Sequence, residues 1–252
     1  MPLAVTTEID DHVATLRLTL DGSRFGRVVL EELASKAVEL RHSTDEVYSV
    51  VVVAEPDFGV GWSEDVLAED AVSGLSESGM AFEALAAIPQ PVVAAITGQA
   101  ESAGLELALA CDIRVAGKNV SFGMPETGLG MVPRGGGTQR LPRVVGRAPS
   151  LRMLLTGESI DAAEAFRIGL VSEVVEDSTV ETAALNIARM IASRGPIATR
   201  LAKEAVLRGT EIPLADALLT ELDMTVILQT TADRAEGVEA FVEKRVPRFE
   251  NR

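Results

Sequence analysis

The segment Pro91–Gly123 reads PVVAAITGQAESAGLELALACDIRVAGKNVSFG, and its alternating pattern sets the fold class. PVVAAIT is an apolar run after proline breaks and is typical of a buried strand. Ala103–Ala110 predicts a helix, and DIRVAG and VSFG predict two more short strands. This alternation of strands and helices indicates an α/β fold with parallel strands.

The alternation continues toward the N-terminus and changes to helices toward the C-terminus. His12–Leu20 alternates apolar and polar residues and predicts a strand, while Val47–Glu55 is β-branched and fits a strand covered on both faces. Helical spacing is found over residues 28–43 and from Ser76 to Ile88. After Gly136 the pattern predicts short helices that end at glycines, one strand in LVSEVV, and helices from residue 180 onward with breaks at 195–196 and 212–213.

Composition excludes several classes of protein. The 252 residues are 47% hydrophobic, which suffices for a packed core, and the net charge of −15 disfavours nucleic-acid binding. No stretch reaches the roughly 20 apolar residues that span a bilayer, and the N-terminus has no signal-peptide pattern. We therefore expect a cytoplasmic protein with no nucleic-acid or membrane partner.

Few residues suit metal or nucleophile chemistry. Cys111 is the single cysteine, so it forms no intrachain disulfide, and its apolar surroundings predict a core position. The two histidines, His12 and His42, have no metal-ligand or nucleophile partner at useful spacing. The sequence therefore predicts no metal site.

Glu106 is the single charged residue between Ala103 and Cys111. Its helical neighbours are apolar on all sides, so we expect a carboxylate without a solvent-facing side. Such a charge costs free energy unless it is paired or used. Small residues at the helix start let a ligand approach the free N–H groups, which can stabilise a developing oxyanion. These residues alone leave a functional Glu106 and an ordinary solvent-facing glutamate equally open.

Two further segments carry weaker signals. Glu126 follows the strand-like VSFG in a Pro-Glu turn, and α/β folds keep their sites just past strand ends. Behind it, GGGTQR can open a helix and offer N–H groups, although it matches no phosphate-loop or dinucleotide pattern. FGVGWSED, residues 58–65, places two glycines after a buried strand. Taken singly, each of these segments also fits an ordinary turn.

In this order the three segments resemble the crotonase superfamily, and most closely the enoyl-CoA hydratases. The long segment from PVVAAITGQAESAGLELALACD through GMPETGLGMVPRGGGTQRLPRVVG is similar to that family's signature almost position by position. LTGESIDAAEAFRIGLVSEVV and RAEGVEAFVEKRVPRF continue the resemblance, which covers nearly the whole chain.

The resemblance implies an α/β fold of the crotonase type, a spiral of ββα units with a C-terminal helical region. Residues 1–195 would form the spiral core with the acyl-CoA site, and residues 196–252 a helical trimerisation region. The expected assembly is a homotrimer or a dimer of trimers. The implied setting is fatty-acid β-oxidation, with coenzyme A as part of the substrate and no separate cofactor.

The same resemblance assigns the site. The backbone N–H groups of Trp62 and Ala103 would form an oxyanion hole for the thioester carbonyl. Glu106 would orient and activate water, and Glu126 would supply a proton to C2. Two like charges over one water would also raise the pKa of one of them. The acyl chain would lie behind the hole, near residues such as 66–80.

Other positions match less closely. Arg24 and Gly61 are expected substrate or CoA contacts, as are Phe241 and Lys244, often from a neighbouring subunit; Arg24 also fits an ordinary solvated arginine. The chain departs from the family pattern at three places. Ser102-Ala103-Gly104 stands where the family usually has a glycine run, Gly61-Trp62-Ser63 where it has Gly-Ala-Asp, and Arg134 where many members have a glycine. The unusual charge of Glu101 precedes the first of these.

Sister reactions remain as alternatives: enoyl-CoA isomerisation, acyl-CoA hydrolysis or C–C bond chemistry. Isomerases typically keep the second glutamate and not the first, so the presence of both Glu106 and Glu126 favours hydration. An alternative from another class is a non-catalytic CoA-binding trimer.

Overall fold

The computed structural model describes residues 4–73 and 78–252. Its strands are β1 (Val5–Asp10), β2 (Val13–Thr19), β3 (Arg24–Phe25), β4 (Ser49–Glu55), β5 (Gly61–Trp62), β6 (Val92–Ile96), β7 (Gln99–Glu101), β8 (Ile113–Gly117), β9 (Ser121–Gly123), β10 (Ile160–Asp161) and β11 (Glu173–Val175). Its α-helices are α1 (Arg27–His42), α2 (Glu64–Ser73), α3 (Ser78–Ala86), α4 (Ala103–Ala110), α5 (Gly137–Val145), α6 (Arg147–Thr156), α7 (Ala162–Arg167), α8 (Val180–Ala192), α9 (Pro196–Gly209), α10 (Leu214–Gln229) and α11 (Ala232–Glu243). Short 3-10 helices cover Pro125–Leu129 and Asp177–Thr179.

A repeated ββα unit organises the front of the chain. The first strands of the successive units, β2, β4, β6 and β8, lie side by side and parallel in one six-stranded sheet of order β1-β2-β4-β6-β8-β11. The second strands pair beside it, β3 with β5 and β7 with β9, and a bridge between Gly59 and Ala100 links the two pairs. The spiral of ββα units implied by the resemblance is confirmed.

One edge of the main sheet differs from the all-parallel expectation. β1 pairs antiparallel with β2 through a two-residue turn at Asp11 and His12, both of which have positive φ. Two-residue turns with this geometry match the twist of a hairpin. The sequence pattern does not predict β1, because its outward residues leave it only half apolar.

Strand β4 explains how the sheet separates two cores. Val50 and Val52 pack with α1, α3 and α4 on one face, whereas Val51 and Val53 pack against α8 on the other. Because side chains alternate along a strand, a continuous β-branched run fills both faces. The expected two-sided burial of Val47–Glu55 is confirmed except at its exposed last residue.

The helical half follows the predicted breaks. α5 and α6 end at glycines, α8 begins at Val180, and α9 and α10 begin after the breaks at 195–196 and 212–213. The helix expected from Ser76 is described from Ser78 onward, since residues 74–77 lie outside the described part of the chain.

Helix α9 is attached to the sheet by one buried contact. Lys203 Nζ lies 2.7 Å from Asp112 Oδ2 and donates to the Gln90 carbonyl at 2.9 Å. Asp112 Oδ2 also accepts the Val92 N–H at 2.7 Å, at the start of β6. This contact ties the C-terminal helices to the strands that lead into α4. Among the described residues, no helix has the length and apolar character needed to cross a bilayer.

Candidate active site

Helix α4 places Glu106 in the centre of the molecule. All eight of its residues are buried, and Glu106 itself has no solvent-exposed surface. The expectation that this carboxylate lacks a solvent-facing side is confirmed. The helix begins at Ala103, and its first intrahelical bond runs from the Glu106 N–H to the Ser102 carbonyl at 3.0 Å. The amides that precede Glu106 in the first turn therefore have no intrahelical acceptor.

Two glycine amides hold one oxygen of Glu106. Oε1 accepts from the Gly135 N–H at 2.7 Å and from the Gly137 N–H at 2.8 Å. Oε2 is buried and has no hydrogen-bond partner among residues 4–73 and 78–252. A Cβ at Gly135 would lie 2.9 Å from Oε2, and a Cβ at Gly137 would lie 3.0 Å from Oε1. Only glycine allows these amides to approach the carboxylate so closely.

Sequence reasoning did not assign Gly135 and Gly137 to the site. The signal was present in GGGTQR, which was expected to open a helix and offer N–H groups. It opens α5 as expected, but its amides bind a protein carboxylate. Sequence alone did not reveal the partner, because Glu106 lies 29 residues earlier.

Burial raises the pKa of Glu106 from 4.5 to about 7. Loss of hydration is the largest cause, and the nearby charge of Glu126 raises the pKa further. The N–H bonds from Gly137 and Gly135 act in the opposite direction because they stabilise the ionised form. Like-charge repulsion between the two glutamates was expected to raise one pKa, whereas in the structure burial raises the pKa of Glu106 more than the charge of Glu126 does.

Glu126 provides the second carboxylate. It lies in the 3-10 helix Pro125–Leu129 just past β9 and is 3% exposed. Neither of its oxygens has a hydrogen-bond partner in the part of the chain that the structure describes. Buried carboxylate oxygens are normally hydrogen-bonded, so three unpartnered oxygens on Glu106 and Glu126 mark a place where a ligand or water would bind.

The loop after β4 is joined to the start of α4. Gly59 donates to the Gln99 carbonyl at 3.0 Å and accepts from the Glu101 N–H at 2.8 Å. A Cβ on Gly104 would lie 2.1 Å from the Gly59 oxygen, so the two backbones touch. This contact brings the segment containing Gly61 and Trp62 against the helix that carries Ala103 and Glu106.

The Trp62 ring turns into the core. It stacks on Phe82, with ring centroids 5.4 Å apart, and lies 6.3 Å from the Phe25 ring. Its Nε1 is buried without a hydrogen-bond partner. The edge of Phe82 in turn faces Gly135, at 2.8 Å from the position of its missing Cβ. The large side chain thus forms part of the wall beside the glycines that bind Glu106.

Glu101, the unusual charge before α4, accepts hydrogen bonds from two serine hydroxyl groups. Its Oε1 accepts from Ser159 Oγ at 2.8 Å and from Ser121 Oγ at 3.2 Å. These bonds hold its carboxylate against β9 and the start of β10.

The remaining candidate contacts fall into two groups. Arg24 is exposed and its Nη1 donates to the Trp62 carbonyl at 3.2 Å, which places it beside Gly61. Phe241 and Lys244 lie at the far end of α11, with the Phe241 side chain 84% exposed. Within residues 4–73 and 78–252, no hydrogen bond or ion pair joins Phe241 or Lys244 to the site around Glu106.

Other chemistry finds little support in the described residues. They contain no cluster of three or more histidine, cysteine, aspartate or glutamate side chains that could hold a metal ion. Cys111 is buried, as expected, and burial raises the pKa of its thiol to about 12. Its thiolate is therefore negligible at neutral pH. Residues 74–77, inside the segment expected near the acyl chain, lie outside the described residues.

The chain is similar to known proteins in three comparisons: with a family model, with curated sequences and with solved structures. Residues 31–252 match the family model described as enoyl-CoA hydratase/isomerase. The chain is 44% identical over 168 residues to the 2,3-dehydroadipyl-CoA hydratase of Escherichia coli, covering 67% of this chain and 66% of that protein. It is also 44% identical over 168 residues to the crotonyl-CoA hydratase of Syntrophomonas wolfei, covering 67% of this chain and 65% of that protein. The match thus spans just under two thirds of each relative's own length.

Solved structures resemble the whole chain. An enoyl-CoA hydratase from Bacillus anthracis superposes with a TM-score of 0.93 at 34% sequence identity, covering 99% of this chain and 100% of that one. The similarity therefore includes the C-terminal helices as well as the spiral.

Proposed function

Because the chain belongs to the enoyl-CoA hydratase/isomerase family, we propose that it adds water across the 2,3-double bond of a 2-enoyl-CoA thioester to give a 3-hydroxyacyl-CoA. One observation carries the proposal: the buried pair Glu106 and Glu126 has three carboxylate oxygens without partners, next to the first turn of α4. Hydration requires one group that takes a proton and one that gives a proton, and this pair supplies both.

The thioester carbonyl binds at the start of α4. The N–H groups of Ala103 and Trp62 donate to its oxygen, and the positive end of the α4 dipole favours the negative charge that develops there. Preorganised donors of this kind stabilise the enolate-like state that forms as water adds at C3. A single such donor contributes about 3 kcal/mol in well-studied hydrolases.

Glu106 and Glu126 then transfer the protons. With Oε1 fixed by two glycine amides, Glu106 directs Oε2 toward the water and takes its proton as the oxygen bonds to C3. In this proposal Glu126 is the group that gives a proton to C2. One proton moves from water to Glu106 and one from Glu126 to C2, so a proton returns from Glu106 to Glu126, directly or through solvent, before the next turnover. No oxidant or reductant is needed, and the proposal includes no separate cofactor or metal; turnover is expected to continue unchanged in the presence of EDTA.

The relatives' names support a small enoyl substrate. The similar protein of S. wolfei is named for crotonyl-CoA and that of E. coli for 2,3-dehydroadipyl-CoA. Phe241 and Lys244 complete the proposal as CoA contacts supplied by a neighbouring copy, since they lie at the exposed end of α11 and no hydrogen bond or ion pair among the described residues joins them to the site around Glu106. The proposed setting is fatty-acid β-oxidation in the cytoplasm.

The C-terminal region, residues 196–252, is proposed to join three chains. On α10, Leu218, Leu219 and Leu222 are all more than half exposed, and Met224 is its one residue described as buried. Exposed apolar patches of this kind mark interaction surfaces. A homotrimer, or a dimer of trimers, would cover them.

The direct test is hydration of crotonyl-CoA and of longer 2-enoyl-CoAs, followed by the loss of absorbance of the conjugated thioester. Turnover that falls at least a hundredfold in Glu106→Gln and Glu126→Gln would support the assignment. Absence of turnover at every chain length, with CoA thioesters still bound, would leave the non-catalytic CoA-binding role. Product analysis that shows a shifted double bond or a free acid would favour isomerisation or hydrolysis.

A further inference from the structure

Ser102, next to the proposed oxyanion donor Ala103, carries a hydroxyl to which the proposed reaction gives no role. It occupies the N-cap position of α4, yet its hydroxyl makes no capping bond. Within the described part of the chain, its Oγ takes part in no hydrogen bond, while the backbone is fixed by the Ser102 N–H bond to the Gly123 carbonyl at 2.9 Å. Ser102 as a whole is 7% exposed, so little of the residue is open to solvent.

The backbone of Ser102 makes the presence of a side chain there costly. Its φ of 52° and ψ of −120° lie in a region that residues with a Cβ rarely adopt. Glycine would remove this strain, but here the position carries a hydroxyl. Strain at such a position is kept where the surrounding structure holds it, and it concentrates at functional sites.

The Ser102 hydroxyl and the Arg24 guanidinium lie near the same point, the open side of Gly61. A Cβ built on Gly61 would lie 3.7 Å from Ser102 Oγ and 3.5 Å from Arg24 Nη1. The open side of Gly61 is therefore flanked by a hydroxyl donor and a guanidinium donor. Arg24 Nη1 is itself oriented by its bond to the Trp62 carbonyl at 3.2 Å. The three residues form a small polar rim, the Ser102–Arg24 rim, beside the Ala103 and Trp62 amides.

The orientation of the bound thioester places its sulfur atom next to the Ser102–Arg24 rim. Glu106 lies one turn further into α4 than Ser102, as the bond between its N–H and the Ser102 carbonyl shows. When the carbonyl oxygen binds the Ala103 N–H, the double bond must extend from the carbonyl carbon toward Glu106. The sulfur, on the other side of that carbon, then points away from Glu106. Two carbons beyond the sulfur, the arm of coenzyme A carries an amide, whose carbonyl oxygen accepts hydrogen bonds.

We infer that the Ser102 hydroxyl, flanked by Arg24, donates a hydrogen bond to the first amide carbonyl of the coenzyme A arm and thereby positions the thioester. The inference rests on the proposed function for the orientation of the substrate. It makes Ser102 a specificity-determining residue for thioesters that carry this amide.

Three thioesters separate this role from the alternatives. Crotonyl-CoA and crotonyl-N-acetylcysteamine both contain the amide, whereas S-ethyl thiocrotonate does not. For Ser102→Ala and Ser102→Gly we expect kcat/KM to fall about fivefold to tenfold on the first two substrates, mainly through KM, and to stay unchanged on the third. Ser43→Ala, on the exposed end of α1, is the matched control and should leave all three unchanged.

The same variants distinguish a failure of this inference from a failure of the proposed function. Butyryl-CoA lacks the double bond, so its affinity, measured by calorimetry, reports on the contact without turnover; we expect it to weaken fivefold to tenfold in both variants. Equal losses on all three thioesters would show that the hydroxyl acts at the carbonyl. Recovery in Ser102→Gly but not in Ser102→Ala would assign the effect to backbone strain. Either result, or unchanged affinity, would overturn the inference.

Discussion

Glu106 combines two opposing influences on a single carboxylate. Complete burial raises its pKa, while the amides of Gly135 and Gly137 stabilise its ionised form. The result is a pKa of about 7, at which both protonation states are populated near neutral pH. A group that exchanges protons with water during turnover works best in this range.

The raised pKa predicts a pH-dependent stability change in Glu106→Gln. The folded protein holds the proton more tightly than the unfolded chain, so the carboxyl destabilises the fold progressively as pH rises from 4.5 through 7. We expect Glu106→Gln to be more stable than the parent at pH 8, by up to about 3 kcal/mol, and to lose this advantage at pH 4.

Urea unfolding at both pH values measures this difference. Glu39→Gln, an exposed carboxylate on α1, is the control and should show little change at either pH. An equal stability difference for Glu106→Gln at pH 4 and pH 8 would contradict the raised pKa.

A methyl group on Gly135 should displace the Glu106 carboxylate. Its Cβ would lie 2.8 Å from the Phe82 ring and 2.9 Å from Glu106 Oε2, so one of these groups must move. We expect Gly135→Ala to lower kcat by about a hundredfold, because small displacements of a reacting group have large effects. Gly209→Ala, whose Cβ would meet Ala217 at an ordinary 3.5 Å, should keep full activity. Equal activity of the two variants would refute the role given to Gly135.

At the scale of elements, the site depends on two chain segments meeting. α4 supplies Ala103 and Glu106, and β5 supplies Gly61 and Trp62. The contact of Gly59 with Gly104 holds them together, since any side chain on Gly104 would collide with the loop. α5 closes the site from the other side through the amide of Gly137 at its first turn.

Helix α9 should loosen when its buried anchor is removed. Lys203→Met removes the ion pair with Asp112 and the bond to the Gln90 carbonyl, and leaves the carboxylate only the Val92 amide. We expect a loss of about 2 kcal/mol in the free energy of unfolding, with faster hydrogen exchange in α9. Lys36→Met, which breaks an exposed pair with Glu39, should change stability by less than about 1 kcal/mol. Similar small losses in both variants would mean that Lys203 does not anchor the helix.

The element pattern was largely predictable because its local signals are strong. The β-branched run of β4, the glycine stops of α5 and α6 and the proline breaks before α9 and α10 all act within a few residues. β1 was not predictable in the same way, because an edge strand with one exposed face has a weak pattern and its pairing depends on the turn at Asp11 and His12.

At the scale of the whole molecule, the proposed assembly would cover the exposed apolar side chains of α10. Leu218 and Leu222 lie four residues apart on one face and are 55% and 57% exposed. Replacement of both by glutamate should convert a trimer or hexamer to monomers, as measured by light scattering after size exclusion. Val38→Glu, which alters an equally exposed residue of α1, should leave the assembly intact. A wild-type chain that is monomeric at micromolar concentration would disprove the proposed assembly.

The sequence by itself determined the order and type of most elements, the burial of Glu106 and Cys111, and, through the resemblance, the fold. These properties follow from periodicity, from apolar neighbours along one helix and from turn residues, all of which are local in the chain. The tertiary structure decided which groups meet: the glycine amides on Glu106 Oε1, the direction of the Trp62 ring, and the position of the Ser102 hydroxyl beside Arg24. Such contacts join residues far apart in sequence, and the pKa of about 7 arises from complete burial together with the charge and amides of those distant residues.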